Sequence, residues 1–259
     1  MSPTCDDLAL PVDLPRCVER VVSLVPSLTE AVALTAPGLL VGATDWCTHP
    51  AGLSVTRVGG TKSPDVAAVV GLRPDLVVAN EEENRAADLD ALRGAGVVVW
   101  VTAPRTLPAA LDSLHRMLTV ACRLPRPPWL DEAAAAWPAQ WSRSEREPPA
   151  PRRRAVVPIW RRPWMALGRD TFAGDVLARL GIVNVLAGHP ERYPRVVLAD
   201  LPPHDLVVLP DEPYPFSPAD GPEAFPGVPA ACVSGRHLTW YGPSLAVARD
   251  VLADQLRTG

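Results

Sequence analysis

Three short strings place chemistry-bearing side chains inside one strand-rich stretch: Thr44-Asp45-Trp46-Cys47-Thr48-His49, Gly59-Gly60-Thr61-Lys62 and Glu81-Glu82-Glu83-Asn84. Lys62 is the only lysine among 25 Lys and Arg residues, so the other 24 are Arg. In a chain so biased toward Arg, a retained ammonium points to work that a planar guanidinium cannot do, because it is compact and shifts its pKa readily on burial. Cys47 and His49 are two apart, and an extended loop would turn both side chains the same way. The pair has three readings. It is a nucleophile and base, with Lys62 lowering the thiol pKa. It is a thiolate and an imidazole for a metal, completed by Asp45 or a group from the second half of the chain. Or it is a half-buried thiol beside a packed imidazole. Spacing alone does not choose among them.

The acidic run 81–83 reads as a solvated helix start, where carboxylates favour the positive dipole end. Glu83 and Asn84, turned inward, would instead supply an acceptor and an amide beside Lys62. In the second half, Glu212 stands between a strand end and Pro213 and is held stiffly. Tyr214, Phe216, Trp240 and Tyr241 offer flat faces for a planar ligand, although any single aromatic more often belongs to a core. With three Tyr in the chain, their placement at 193, 214 and 241, in polar loops, stands out. GxGxxG, GxxxxGK[ST] and GxSxG are absent, and Gly59-Gly60-Thr61-Lys62 has the wrong spacing for a phosphate loop.

The elements that must position these groups follow from the pattern. Apolar β-branched runs at 21–25, 39–43, 76–79 and 97–101 predict strands, as do 155–159, 206–209 and 231–234. Ser27-Leu28-Thr29-Glu30 predicts a capping box opening a helix to about Thr35, and Ser63-Pro64 a second helix start. Residues 106–122 carry Leu107, Leu111, Leu114, Leu118 and Ala121 on one helical stripe, and helices are expected at 130–144, 171–180 and 244–256. The alternation predicts an α/β fold with two lobes, each a mainly parallel sheet flanked by helices. The boundaries are 18–122 for the first lobe, 123–152 for a Pro-rich helical linker and 153–259 for the second. Two such lobes make a cleft, and ligands of open α/β sheets bind at the carboxyl ends of strands. The loops 44–49, 81–84, 160–164 and 211–216 all follow strands, which brings Trp160 into the set.

Net charge of -4 and a pI near 5.7 argue against nucleic-acid or anionic-membrane partners. Arg152-Arg153-Arg154 reads as a solvated linker end. The N-terminal residues lack a basic region followed by an apolar one, which predicts a cytoplasmic protein. Five cysteines without a CxxC pair predict free thiols.

Taken together, 44–50, 59–62, 74–84, 212–216 and Trp240-Tyr241-Gly242 resemble the helical-backbone metal receptor family, of the iron-siderophore and cobalamin class of periplasmic-binding-protein-like folds. The likeness runs from about Arg20 to the C-terminus. It implies a class III arrangement, two lobes joined by a long helix, that binds a corrinoid or an iron chelate without catalysing a reaction. By position the ligand-binding set is Cys47, His49, Lys62, Glu83, Asn84, Trp160, Tyr193, Glu212, Tyr214, Trp240 and Tyr241, with Cys47 and His49 as metal donors. It further implies a soluble, monomeric protein with a small-molecule or metal-chelate ligand, and an ABC transporter as partner only if the chain is exported. Prolines at 125, 127, 128 and 138 depart from a continuous linking helix. The competing reading is an intracellular enzyme using Cys47 and His49 with Lys62 and Glu212; a third is a cytosolic metal carrier.

Overall fold

Fully apolar strands need cover on both faces, and the sheets obey that demand. The computed structural model describes residues 4–137 and 153–257. The chain forms two compact units: Met1–Pro104 with Ala109–Glu132 and Tyr241–Pro243, and Arg105–Pro108 with Ala133–Trp240 and Ser244–Gly259.

In the first unit, β1 (Val21–Ser23), α1 (Pro26–Thr35), β2 (Leu40–Ala43), β3 (Thr56–Arg57), β4 (Gly59–Gly60), β5 (Ser63–Pro64), α2 (Val66–Gly71), β6 (Leu76–Asn80), α3 (Ala86–Gly94) and β7 (Val99–Thr102) follow in order. The sheet runs β3-β2-β1-β6-β7, all parallel, with β4 and β5 a separate antiparallel pair. Chain order reverses between β1 and β6, which makes their carboxyl ends the switch point where such sheets bind ligands. Val22, Leu24, Val77, Ala79, Val99 and Val101 pack with Leu89 and Leu92 of α3 and Val69 of α2 into one core. A segment before the sheet adds cover at the edge strand β7. Asp6 accepts from Val101 N, and Asp7 accepts from Ala103 N at 3.0 Å and from Arg116 Nη1 at 2.8 Å.

Helix α4 (Leu107–Arg116) runs into a π-helical turn at Met117–Ala121, and α5 spans Pro128–Ala136. Of the expected stripe, Leu107, Leu114, Leu118 and Ala121 are buried and Leu111 is half-buried, while Ala110 and Met117 join the buried side. The expected helix 130–144 begins earlier, at Pro128, which suits a first-turn position; its portion beyond 137, with most of the expected linker, lies outside the described residues.

The second unit contains β8 (Arg153–Val156), β9 (Pro158–Arg161), β10 (Trp164–Ala166), α6 (Phe172–Arg179), β11 (Ile182–Asn184), β12 (Leu206–Pro210), β13 (Ala230–Val233), α7 (Gly235–Thr239) and α8 (Leu245–Arg257). Its parallel sheet runs β11-β8-β12-β13, and β9 with β10 form an antiparallel ribbon. The single strand expected at 155–159 is thus two, β8 and β9. Arg153 and Arg154 open strand β8 and do not belong to a linker, and they bond Leu256 O and Pro203 O, although Arg154 stays exposed as expected.

Two expected helix starts differ. Helix α1 opens on Pro26 at its first turn, Val25 makes no side-chain cap, and Ser27 and Glu30 are buried within the helix, so no capping box forms. Ser63-Pro64 pairs with Gly59-Gly60, and Asp65 caps α2 by accepting from Ala68 N at 2.9 Å. The Asp65 carboxylate thereby satisfies a first-turn amide and faces the positive end of the helix dipole. Thr171 does cap α6, accepting from Gly174 N.

No helix among the described residues is long and apolar enough to cross a membrane. All five cysteines are free: Cys17 is exposed, Cys5 and Cys232 are half-buried, and Cys47 and Cys122 are buried. Burial pushes the Cys122 thiol up to about 12. In the native protein at pH 8, a thiol-disulfide reagent should therefore modify Cys17 at once and leave Cys47 and Cys122 untouched until denaturant is added. Prompt modification of either buried thiol would contradict this packing.

Candidate functional site

At the carboxyl end of β6 the chain must turn away from the sheet while its backbone groups stay bonded, and two asparagines do this. Asn80 Oδ1 accepts from Glu82 N at 2.8 Å and Glu83 N at 3.1 Å, the side-chain turn typical of Asn. Its Nδ2 donates to Thr102 O at 2.9 Å and to the Tyr241 hydroxyl at 2.6 Å. Asn84 closes the turn from the other side. Its Oδ1 accepts from Asn80 N at 2.9 Å, and its Nδ2 donates to Thr61 O at 2.9 Å and Leu24 O at 3.3 Å. Both amides are buried. Together they tie the 81–84 turn to the ends of β1 and β7 and to the β4–β5 turn.

That framework sets what faces outward. Lys62, at the β4–β5 turn, is exposed and donates through Nζ to the carbonyl of Glu82. Although Glu83 keeps surface open to solvent, the protein crowded around its carboxyl pushes its pKa up; the Glu82 charge adds to this and the Lys62 charge opposes it. Lys62 and Glu83 thus form one polar rim beside the switch point of the first sheet.

The other first-unit candidates fall into two groups. His49 is half-buried, with Nδ1 3.2 Å from Thr48 Oγ1. Cys47, by contrast, is fully buried, its Sγ 3.0 Å from Thr29 Oγ1 and 3.1 Å from Thr44 Oγ1. The fully buried thiol faces these two threonine hydroxyls, so the structure offers the metal and nucleophile readings of Cys47 with His49 no exposed sulfur. Among the described residues no group of three or more His, Cys, Asp and Glu could hold a metal ion. Asn84 and Tyr241 are likewise internal, since the Asn84 amide is spent on the backbone and the Tyr241 hydroxyl meets Asn80 and Thr102 Oγ1. Burial also raises the Tyr241 pKa.

Sequence reasoning passed over Trp46, although it lies in the same loop. Its indole is 68% exposed, and its Nε1 would stand 3.6 Å from a Cβ placed on Gly60. The signal was available: an aromatic in a polar loop after a strand, the argument applied to the tyrosines.

In the second unit, chain order reverses between β8 and β12, and Glu212 sits just past the end of β12. Its Oε2 accepts from Trp240 Nε1 at 2.9 Å. Gly235 opens α7 against the Glu212 backbone, where a Cβ would meet Glu212 N at 2.6 Å, so only glycine fits. Trp240 is buried, and the Arg236 guanidinium lies 5.8 Å from its ring. Trp160, on β9, is 42% exposed and stands nearly perpendicular to Tyr214 at 5.7 Å. Phe216 is interior, stacked on Trp164 at 6.0 Å. Tyr193 is half-buried in the 191–194 turn, which bonds Ala166 and Gly168 of the ribbon's exit. The structure thus joins Lys62 with Glu83, Trp160 with Tyr214, and Glu212 with Trp240.

A raised carboxyl pKa favours the folded state below the unfolded value and loses that advantage as pH rises through the folded value. Glu83→Gln should therefore gain stability relative to the parent at pH 7, with the gain fading below about pH 4. Urea midpoints at both pH values check this; a gain at pH 4 that vanishes at pH 7 would contradict it.

Comparison with known proteins adds independent findings. The family described as periplasmic binding protein matches residues 21–197. The vitamin B12-binding protein of Vibrio cholerae is 25% identical over 186 residues, covering 70% of this chain and 66% of the relative; that of Salmonella typhi is 27% identical over 192 residues, covering 73% and 70%. The chain thus spans just under two thirds of the Vibrio relative's length. Among solved structures, the periplasmic vitamin B12 binding protein BtuF of Vibrio cholerae superposes with a TM-score of 0.74 at 18% identity, covering 93% of this chain and 97% of that one. The periplasmic heme-binding protein BhuT in complex with two hemes gives 0.71 at 24%, covering 92% and 97%. Helicobacter pylori CeuE with Ni(II) bound gives 0.78 at 12%, covering 98% and 88%. These likenesses bear out the class III fold. They also correct the cytoplasmic placement, since the matching family and the BtuF and BhuT structures are periplasmic; that placement rested on the polarity of a few N-terminal residues, which does not fix a compartment.

Proposed function

Because the chain belongs to the periplasmic binding protein family, we propose that it binds a corrinoid or another metal chelate at the loops on the carboxyl ends of its parallel strands. The observation that carries this reading is the chemistry of those loops. In the first unit the exposed indole of Trp46 gives a flat apolar face and Lys62 and Glu83 supply placed polar groups; the second unit separately offers Glu212 after β12 and the exposed Trp160 on β9. That mixture suits a large planar ligand with polar substituents. The metal would arrive inside its chelate, which agrees with the lack of a protein donor cluster among the described residues. An ABC transporter is the partner class this reading carries with it.

The enzyme reading has less behind it. Its nucleophile would be Cys47, whose sulfur is enclosed by two threonine hydroxyls at full burial.

Titrating the purified protein with cyanocobalamin, haemin and a ferric siderophore should give saturable binding to at least one. Trp46→Ala and Lys62→Ala should each weaken that binding about tenfold, on the order of 1.4 kcal/mol. Three flat titrations, or full affinity in both variants, would contradict the proposal.

A further inference from the structure

Trp160 is exposed, yet its surroundings are unusually tied down. The segment 212–225 lies across the β9–β10 ribbon through aromatic contacts: Tyr214 against Trp160, and Phe216 and Phe225 against Trp164. One polar chain runs beside them. The Tyr214 hydroxyl donates to Asp220 Oδ2 at 2.7 Å, and the other oxygen of Asp220 is paired with Arg161 Nη1. Arg161 also pairs with Glu223 through Nη2, and its guanidinium lies 5.5 Å from the Trp164 ring. Glu223 is itself fixed, accepting from Gly221 N at 2.6 Å, and that bond, with Arg161 beside it, holds its carboxyl below the usual range.

Arg161 is the residue after Trp160 on β9, and its side chain is only 18% exposed. The chain from Arg161 through Asp220 to Tyr214 therefore begins on the strand that carries Trp160 and ends on the ring that flanks it. The bond to a carboxylate already held by a guanidinium anchors the hydroxyl end of Tyr214 and so fixes the axis of its ring, while Phe216, with its ring centre 4.6 Å away, limits rotation about that axis; the edge offered to the indole therefore stays in place.

We infer that Arg161, Asp220 and Tyr214 form a positioning device for Trp160, setting the angle at which the indole meets a flat ligand. The ligand part of this inference rests on the function proposed above, whereas the positioning part does not. Aromatic recognition depends on ring angle as well as area, so such a device would tune which planar ligand is preferred.

The test uses the full chain labelled with 5-fluorotryptophan, with the Trp160 resonance assigned by its loss in Trp160→Phe. Asp220→Ala and Tyr214→Phe should each shift or broaden the Trp160 line, and the double variant should add little to either. Asp220→Asn, which still accepts from the hydroxyl, should stay closer to the parent. In the same variants the affinity for cyanocobalamin or haemin, whichever the parent binds, should fall about fivefold. Tyr214→Phe removes one hydroxyl and keeps the ring, so it reports even if Asp220→Ala fails to fold. An unmoved Trp160 line in folded Tyr214→Phe, or independent additive effects of the two changes, overturns the inference. If the line moves as expected but the parent binds neither probe, the positioning device stands and the proposed function falls.

Discussion

The first unit's rim depends on two buried amides, Asn80 and Asn84, at the end of β6. Between them they satisfy backbone groups of Leu24, Asn80, Thr61, Glu82, Glu83 and Thr102, contributed by four neighbouring segments. A buried polar group left without a partner costs about 1–3 kcal/mol, so a cluster of this kind is stable only when complete. Its completeness fixes the 81–84 turn, the turn fixes the Glu82 carbonyl, and that carbonyl receives Lys62. The single lysine of the chain thus owes its place to amides that never reach the surface.

The second unit solves the same problem with different means. There the loop after β12 is held by glycine and by aromatic rings. Gly235 lets α7 press on the Glu212 backbone, Trp240 grips the Glu212 carboxylate, and the β9–β10 ribbon receives Tyr214 and Phe216. In both units the sheet supplies rigidity and the loops at a switch point supply chemistry, the division of labour expected of open α/β sheets.

Much of this was legible in the sequence, for reasons that can be named. Parallel strands buried on both faces read as continuous apolar runs, so β6 and β12 are placed within a residue of expectation. Two-residue strands such as β3, β4 and β5 carry no such run, and their pairing comes from tertiary contact. Side-chain direction was the harder matter. Cys47 and Asn84 directly follow the exposed Trp46 and Glu83 in polar loops, and Tyr241 stands in another, yet all three turn inward to meet buried hydroxyls and backbone groups. Loop composition shows that polar groups gather at a strand end; it does not show which of them the backbone consumes. Trp46 illustrates the converse, an apolar ring left outside where the surrounding residues are polar.

The central claim is that ligand is recognised at strand-end loops held by this internal framework. Hydrogen-deuterium exchange with and without saturating cyanocobalamin, haemin or ferric siderophore tests it most directly. The account predicts slowed exchange on binding in residues 44–50, 60–64 and 81–85, with the sheet strands unchanged. Binding that leaves all three of these segments unaltered, or that slows exchange only elsewhere in the chain, would contradict it.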